Sequence, residues 1–126
     1  MDIFNSGIPR VGKDKNMVEE TIAQIEARIK KAKSLDDKRK KELLDLLSTL
    51  KGEVSKLSKT DAENAQSITG FTEVSIHEAI REEKNPQLLK LSLQGLSTSV
   101  EGFESSHPKL VGIVNSICLT LSNIGI

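Results

Sequence analysis

Apolar side chains recur along this chain at alternating steps of four and three residues. Val18, Ile22, Ile25, Ile29 and Ala32 form one series, and Leu43, Leu47, Leu50, Val54 and Leu57 form a second. Leu89, Leu93, Leu96, Val100 and Phe103 form a third, and Leu110, Val114, Ile117, Leu121 and Ile124 a fourth. That spacing lays one apolar stripe along a helix and makes the seam of helices packed side by side. Between the second and third series, Ala65, Ile68, Phe71 and Ala79, with Val74, Ile76 and Ile80 nearby, give a less regular apolar face through about Glu83. No stretch sustains the alternation of a half-buried strand. The pattern predicts an all-α fold: an antiparallel helical hairpin or bundle with coiled-coil-like packing and about five helices.

Polar punctuation sets the element boundaries. Asn16 followed by Glu19 has capping-box spacing and predicts a helix start, and Ser34 or Asp36 is placed to cap the next helix. Thr60-Asp61-Ala62-Glu63 repeats the pattern, although continuation from the second helix stays open. Asn85-Pro86 and His107-Pro108 each stop one helix and start another, since Pro suits the first helical position and disfavours a helical residue before it. Ser105, Ser106 or His107 is expected to satisfy the exposed N–H groups there, and Gly125 to end the last helix. Gly70, inside a helix, is tolerable if a neighbouring helix approaches closely. The chain divides into a flexible arm over 1–15, a helical hairpin over 16–59 and a C-terminal helical region over 60–126.

Charge changes the picture by its distribution. The chain holds 18 basic and 18 acidic side chains, yet residues 1–60 carry 14 against 10 and residues 61–126 carry 4 against 8, so the halves differ as +4 and −4. Such a dipole would favour head-to-tail contact, which builds a filament when it does not close. The final seventeen residues, Leu110 to Ile126, are uncharged. As a helix they reach roughly 25 Å, short of the ~20 mostly apolar residues that span a bilayer, so no transmembrane segment is expected. Met1 to Lys15 lacks the continuous apolar core of a signal peptide, so a cleaved leader is not expected.

Candidate chemistry is sparse. Gly7-Ile-Pro-Arg-Val-Gly12-Lys13 has phosphate-loop spacing, but Asp14 stands where a hydroxyl is needed and no strand precedes it. Glu104-Ser-Ser-His107 is a single Glu-x-x-His pair where a di-iron bundle needs two, and His77-Glu78 lacks the second His of a zinc-protease helix. Glu73 and His77 are at best two ligands. Cys118 is the only cysteine, with no partner for a disulfide and no His–acid pair to make it a catalytic thiol. No metal, cofactor or catalytic residue is expected. One basic cluster, Arg28, Lys30, Lys31, Lys33, Lys38, Arg39, Lys40 and Lys41, falls at the tip of the first hairpin. It is an anion-binding candidate for nucleic acid or a membrane surface, though with neither Trp nor Tyr in the chain no base-stacking platform accompanies it.

The run Phe103-Glu-Ser-Ser-His107-Pro108, followed by Leu110, Val114-Asn115, Ile117 and Leu121-Ser122-Asn123-Ile124-Gly125-Ile126, resembles the ending of the family of short bacterial helical proteins known as domain of unknown function 4404. The resemblance implies a small helical bacterial protein of the cytoplasm and brings no catalytic residue with it. The last helix is apolar beyond its stripe, at Val111, Ile113, Cys118 and Leu119, which calls for packing partners on several sides. The expected function is therefore non-enzymatic self-association, as a scaffold or small accessory subunit of a larger complex or filament. The expected interface is Leu110, Val114, Ile117, Leu121 and Ile124 facing Leu89, Leu93, Leu96, Val100 and Phe103.

Overall fold

The computed structural model describes residues 13–125, which form five helices and, among the described residues, no strand. They are α1 (Lys13–Lys31), α2 (Asp37–Ser58), α3 (Ala62–Ile80), α4 (Pro86–Ser99) and α5 (Pro108–Ile124). Each helix packs on the next and runs antiparallel to it: the first three connections are too short to carry the chain back along a helix, and across α4 and α5 Gly125 lies at Leu89 and Cys118 at Leu93. The helices α2, α3, α4 and α5 close into a ring, with α5 returning to pack on α2 and α3, while α1 covers α2 and α3 from outside the ring.

The stripes read from the sequence are the core. Val18, Ile22, Ile25 and Ile29 of α1 and Leu43, Leu47, Leu50, Val54 and Leu57 of α2 are buried. Leu89, Leu96 and Val100 extend the same core from the α4 side, and Leu110, Val114, Ile117 and Leu121 from α5. At roughly 1.5–3 kcal/mol for each large aliphatic side chain taken out of water, this seam outweighs exposed ion pairs such as Lys41–Asp45, worth about 0–1 kcal/mol.

Caps account for most boundaries. Asp36, rather than Ser34, caps α2, its carboxylate accepting from the Arg39 N–H at 2.8 Å. Ser34 instead donates to the Ile80 carbonyl at 2.7 Å and ties the α1–α2 turn to the end of α3. Helices α2 and α3 are separate: Asp61 caps α3 by accepting from the Asn64 N–H. Asn85 caps α4 through the Leu88 N–H, with Pro86 opening the helix.

Three boundary expectations are corrected. The first helix begins at Lys13 and not at Asn16, so the last three residues of the expected arm are helical; residues 1–12 lie outside the described residues. His107 precedes α5 without a capping hydrogen bond from its side chain. Its ring stacks edge-on against Phe103 at 5.6 Å between centroids and places Nδ1 3.0 Å from Ser106 Oγ. No neighbour lies within 4 Å of a Cβ built at Gly70, so close helix approach does not explain that glycine; the close approach is at Gly95, where a Cβ would collide with the Phe71 ring.

On α3 the hydrophobic pattern misled. Phe71 and Val74, assigned to its apolar face, are exposed, whereas Thr69, Thr72 and Ser75 are buried. The threonines are affordable inside because each donates its hydroxyl to the carbonyl one turn back, Thr69 to Ala65 and Thr72 to Ile68, both at 2.8 Å.

Candidate functional site

The expected self-association seam lies inside the single chain. Leu110, Val114, Ile117, Leu121 and Leu96 are each 0% exposed, Val100 and Leu89 are buried, and Leu93, Phe103 and Ile124 are partly buried against the same core. These residues do meet across α4 and α5, but within one molecule, where the ring of four helices supplies the several partners that α5 needs. As an interface between copies, this residue set is corrected.

The sequence-level dipole also changes meaning. Because the helices alternate in direction, the α1–α2 hairpin spans the molecule's length, and the +4 and −4 halves of the chain are not its two ends. The contrast lies between flanks. In α1 and α2 nearly every second residue is charged, whereas α4 and α5 contain one charged residue each, Lys90 and Lys109, and no acid.

Four of the six large apolar side chains exposed among the described residues lie on α3 and α4, whereas Met17 on α1 and Leu119 on α5 stand apart from them. Phe71 and Val74 on α3 and Leu88 and Leu91 on α4 are 40–58% exposed. Phe71 lies against Gly95 across the two antiparallel helices. Val74 is one turn on from Phe71, Leu91 one turn back from Gly95, and Leu88 nearly one turn further, so the four fall along one crease. The signal in the sequence was the presence of apolar residues outside the four-three stripe of α4.

The other flank of α4 borders a groove against α5, about 720 Å³ in volume, lined by residues that include Leu89, Leu93, Lys90, Cys118 and Ser122. Partial burial raises the Cys118 thiol pKa, which disfavours the thiolate that a nucleophile needs. Its Sγ lies 3.9 Å from the Leu93 carbonyl oxygen.

The basic cluster is gathered at one end of the bundle, where helix directions also bring the C-termini of α1, α3 and α5. Each C-terminus presents unpaired carbonyls and about half a negative charge. Lys40 donates to the Lys30 carbonyl at 2.9 Å, and Lys84 donates to the Ala79 carbonyl. Lys38 and Arg39 border a recess with Thr120, Asn123 and Ile124 of the last turns of α5. Arg28, Lys31 and Lys33 line another with Ile80 and Arg81 at the end of α3. Much of this positive charge thus faces helix termini.

Among the described residues no three His, Cys, Asp or Glu side chains gather as metal ligands. Glu78 sits 2.9 Å from Arg81 and 4.0 Å from His77, and Glu104 accepts from the Gly102 N–H. The phosphate-loop spacing at 7–13 falls outside the described residues except for Lys13. No described helix is long and apolar enough to cross a membrane.

A family profile described as "Domain of unknown function (DUF4404)" matches residues 43–126. The match begins within α2 and runs through α5, so it covers most of the four-helix ring and omits α1. No curated protein and no solved structure matches the chain. Extending over two thirds of the chain, the match identifies this protein as a member of the DUF4404 family.

Proposed function

We propose that this is a non-enzymatic helical protein that self-associates and serves as a scaffold or small accessory subunit of a larger complex. The observation that carries the reading is the crease formed by Phe71 and Val74 of α3 with Leu88 and Leu91 of α4. Helix α4 is about 21 Å long, and with α3 beside it offers roughly 400 Å² of flat projection per copy, the scale of weak, reversible association. A crease that meets its own copy across a two-fold axis gives a closed dimer, with coiled-coil-like packing of α4 on α4, and not a filament. The single unpaired cysteine suits the reducing cytoplasm of a bacterial cell.

Sedimentation equilibrium over a range of protein concentrations tests this. The expected result is a monomer–dimer equilibrium abolished by Leu91→Asp, with the helical signal retained. A monodisperse monomer at high micromolar wild-type protein would overturn it. A second reading, binding of nucleic acid or an anionic membrane at the basic tip, draws support from the exposed side chains of Lys31, Lys33, Lys38 and Arg39. It predicts retardation of DNA, or vesicle binding, that falls steeply with salt.

A further inference from the structure

The groove between α4 and α5 lies on the opposite side of α4 from the proposed self-association crease, and its role does not depend on that crease. Its volume of about 720 Å³ is within the range of small-molecule sites, roughly 300–1,000 Å³. Leu89 and Leu93 of α4 and Cys118 of α5 give it an apolar lining, and Ser97 and Ser122 add hydroxyls. At one end α5 comes so close to α4 that a Cβ on Gly125 would collide with Leu89.

One lining residue is charged, Lys90. Neither α4 nor α5 contains an acid, and among the described ion pairs Lys90 has no part. The groove therefore offers a low-polarity channel with one uncompensated cation. It runs along α4 from Pro86 to Ser97, about 16 Å, and the Lys90 side chain, roughly 6 Å long and set four residues from Pro86 on a helix whose side chains lean toward its N-terminus, can carry the ammonium to that end, so the full length accommodates an extended chain of about a dozen carbons.

We propose that this groove binds a medium-chain carboxylate, with the carboxylate on the Lys90 ammonium and the methylene chain along Leu93 and Cys118. One cation matches one head group, while the apolar walls match an unbranched tail. An acidic peptide helix would need further cations along the walls, and none lines the groove.

Calorimetric titration of the full chain with octanoate, decanoate and dodecanoate, each below its micelle concentration, tests the proposal. A fully buried methylene is worth about fourfold in Kd, so a half-open groove should give roughly a twofold gain per methylene. Lys90→Glu is expected to weaken dodecanoate about tenfold or more. Lys109→Glu, the same charge change elsewhere on the α4–α5 pair, should leave it unchanged. Bound dodecanoate should also slow alkylation of Cys118. The proposal is overturned by absence of saturable binding, by equal binding of dodecanol, by no dependence on chain length, or by equal losses in the two lysine variants. Thermal melts of both variants guard against an effect of misfolding.

Discussion

If the four-three stripe of α5 is the protein's own core, its disruption should remove the fold and not merely the oligomer. Ile117 is 0% exposed and packs within the cluster that joins α5 to the rest of the bundle. Truncating a buried Ile to Ala costs about 2–5 kcal/mol, from lost transfer energy and the cavity left behind. For a domain of this size about 1 kcal/mol corresponds to roughly 4 °C in Tm, so Ile117→Ala should lower Tm by about 8–20 °C. Ile117→Asp adds an uncompensated buried carboxylate, a further cost of about 3–5 kcal/mol, and the total rivals the 5–15 kcal/mol by which domains are stable. That variant should be unfolded at room temperature. Leu119→Asp, two residues away at a site 65% exposed, should stay within about 0.5 kcal/mol of wild type. Circular dichroism melts at several protein concentrations separate the cases, because a core within one chain gives a Tm largely independent of dilution, whereas a seam between copies does not. Should Ile117→Asp melt cooperatively within a few degrees of wild type while losing only oligomeric mass, the assignment of this stripe to the monomer core is wrong.

Four further measurements probe particular contacts. Gly52 sits inside α2 with nothing within 4 Å of where a Cβ would stand, so Gly52→Ala should raise stability by about 1 kcal/mol in denaturant titration. Asp61→Ala removes the cap that separates α3 from α2 and should cost about 1 kcal/mol; an unchanged melt would show that the cap bond to Asn64 contributes nothing. Ser75 carries a buried hydroxyl with no hydrogen-bond partner, so Ser75→Ala should be neutral or stabilising by up to about 1–3 kcal/mol, and a clear loss would reveal a partner at that oxygen. Because burial raises the Cys118 pKa, its alkylation rate should keep climbing with pH beyond the range in which a free thiol levels off, and a plateau at the ordinary thiol pH would contradict its partial burial.

The helices were legible because two signals agreed along most of the chain. Four-three stripes gave the buried faces of α1, α2, α4 and α5 almost residue by residue, and Asp36, Asp61 and Asn85 marked three starts through side chains that bond the backbone three residues on. Helix α3 resisted because its buried face includes Thr69, Thr72 and Ser75, whose hydroxyls count as polar in any pattern. Internal bonding to Ala65 and Ile68 is visible only once the helix exists. The interaction surface was misread for a related reason. Periodicity identifies a stripe that must be covered but not whether its cover comes from the same chain. In this bundle the cover for α5 is α2, α3 and α4, which leaves the off-stripe residues Leu88 and Leu91 as exposed apolar surface instead.

The same geometry reinterprets the charges. Alternating helix direction puts the C-termini of α1, α3 and α5 at one end, each equivalent to about half a negative charge, against the N-termini of α2 and α4. Those five termini sum to about half a negative charge, which basic side chains offset before any ligand is considered, and Lys40 and Lys84 donate to carbonyls in the last turns of α1 and α3. The converse holds on the α4–α5 flank. No helix terminus falls midway along the groove, and no acid stands on either helix, so Lys90 has no comparable structural duty there. Part of the basic cluster at the hairpin tip is thus accounted for by the helix ends beside it, whereas the one lysine beside the uncharged groove is not.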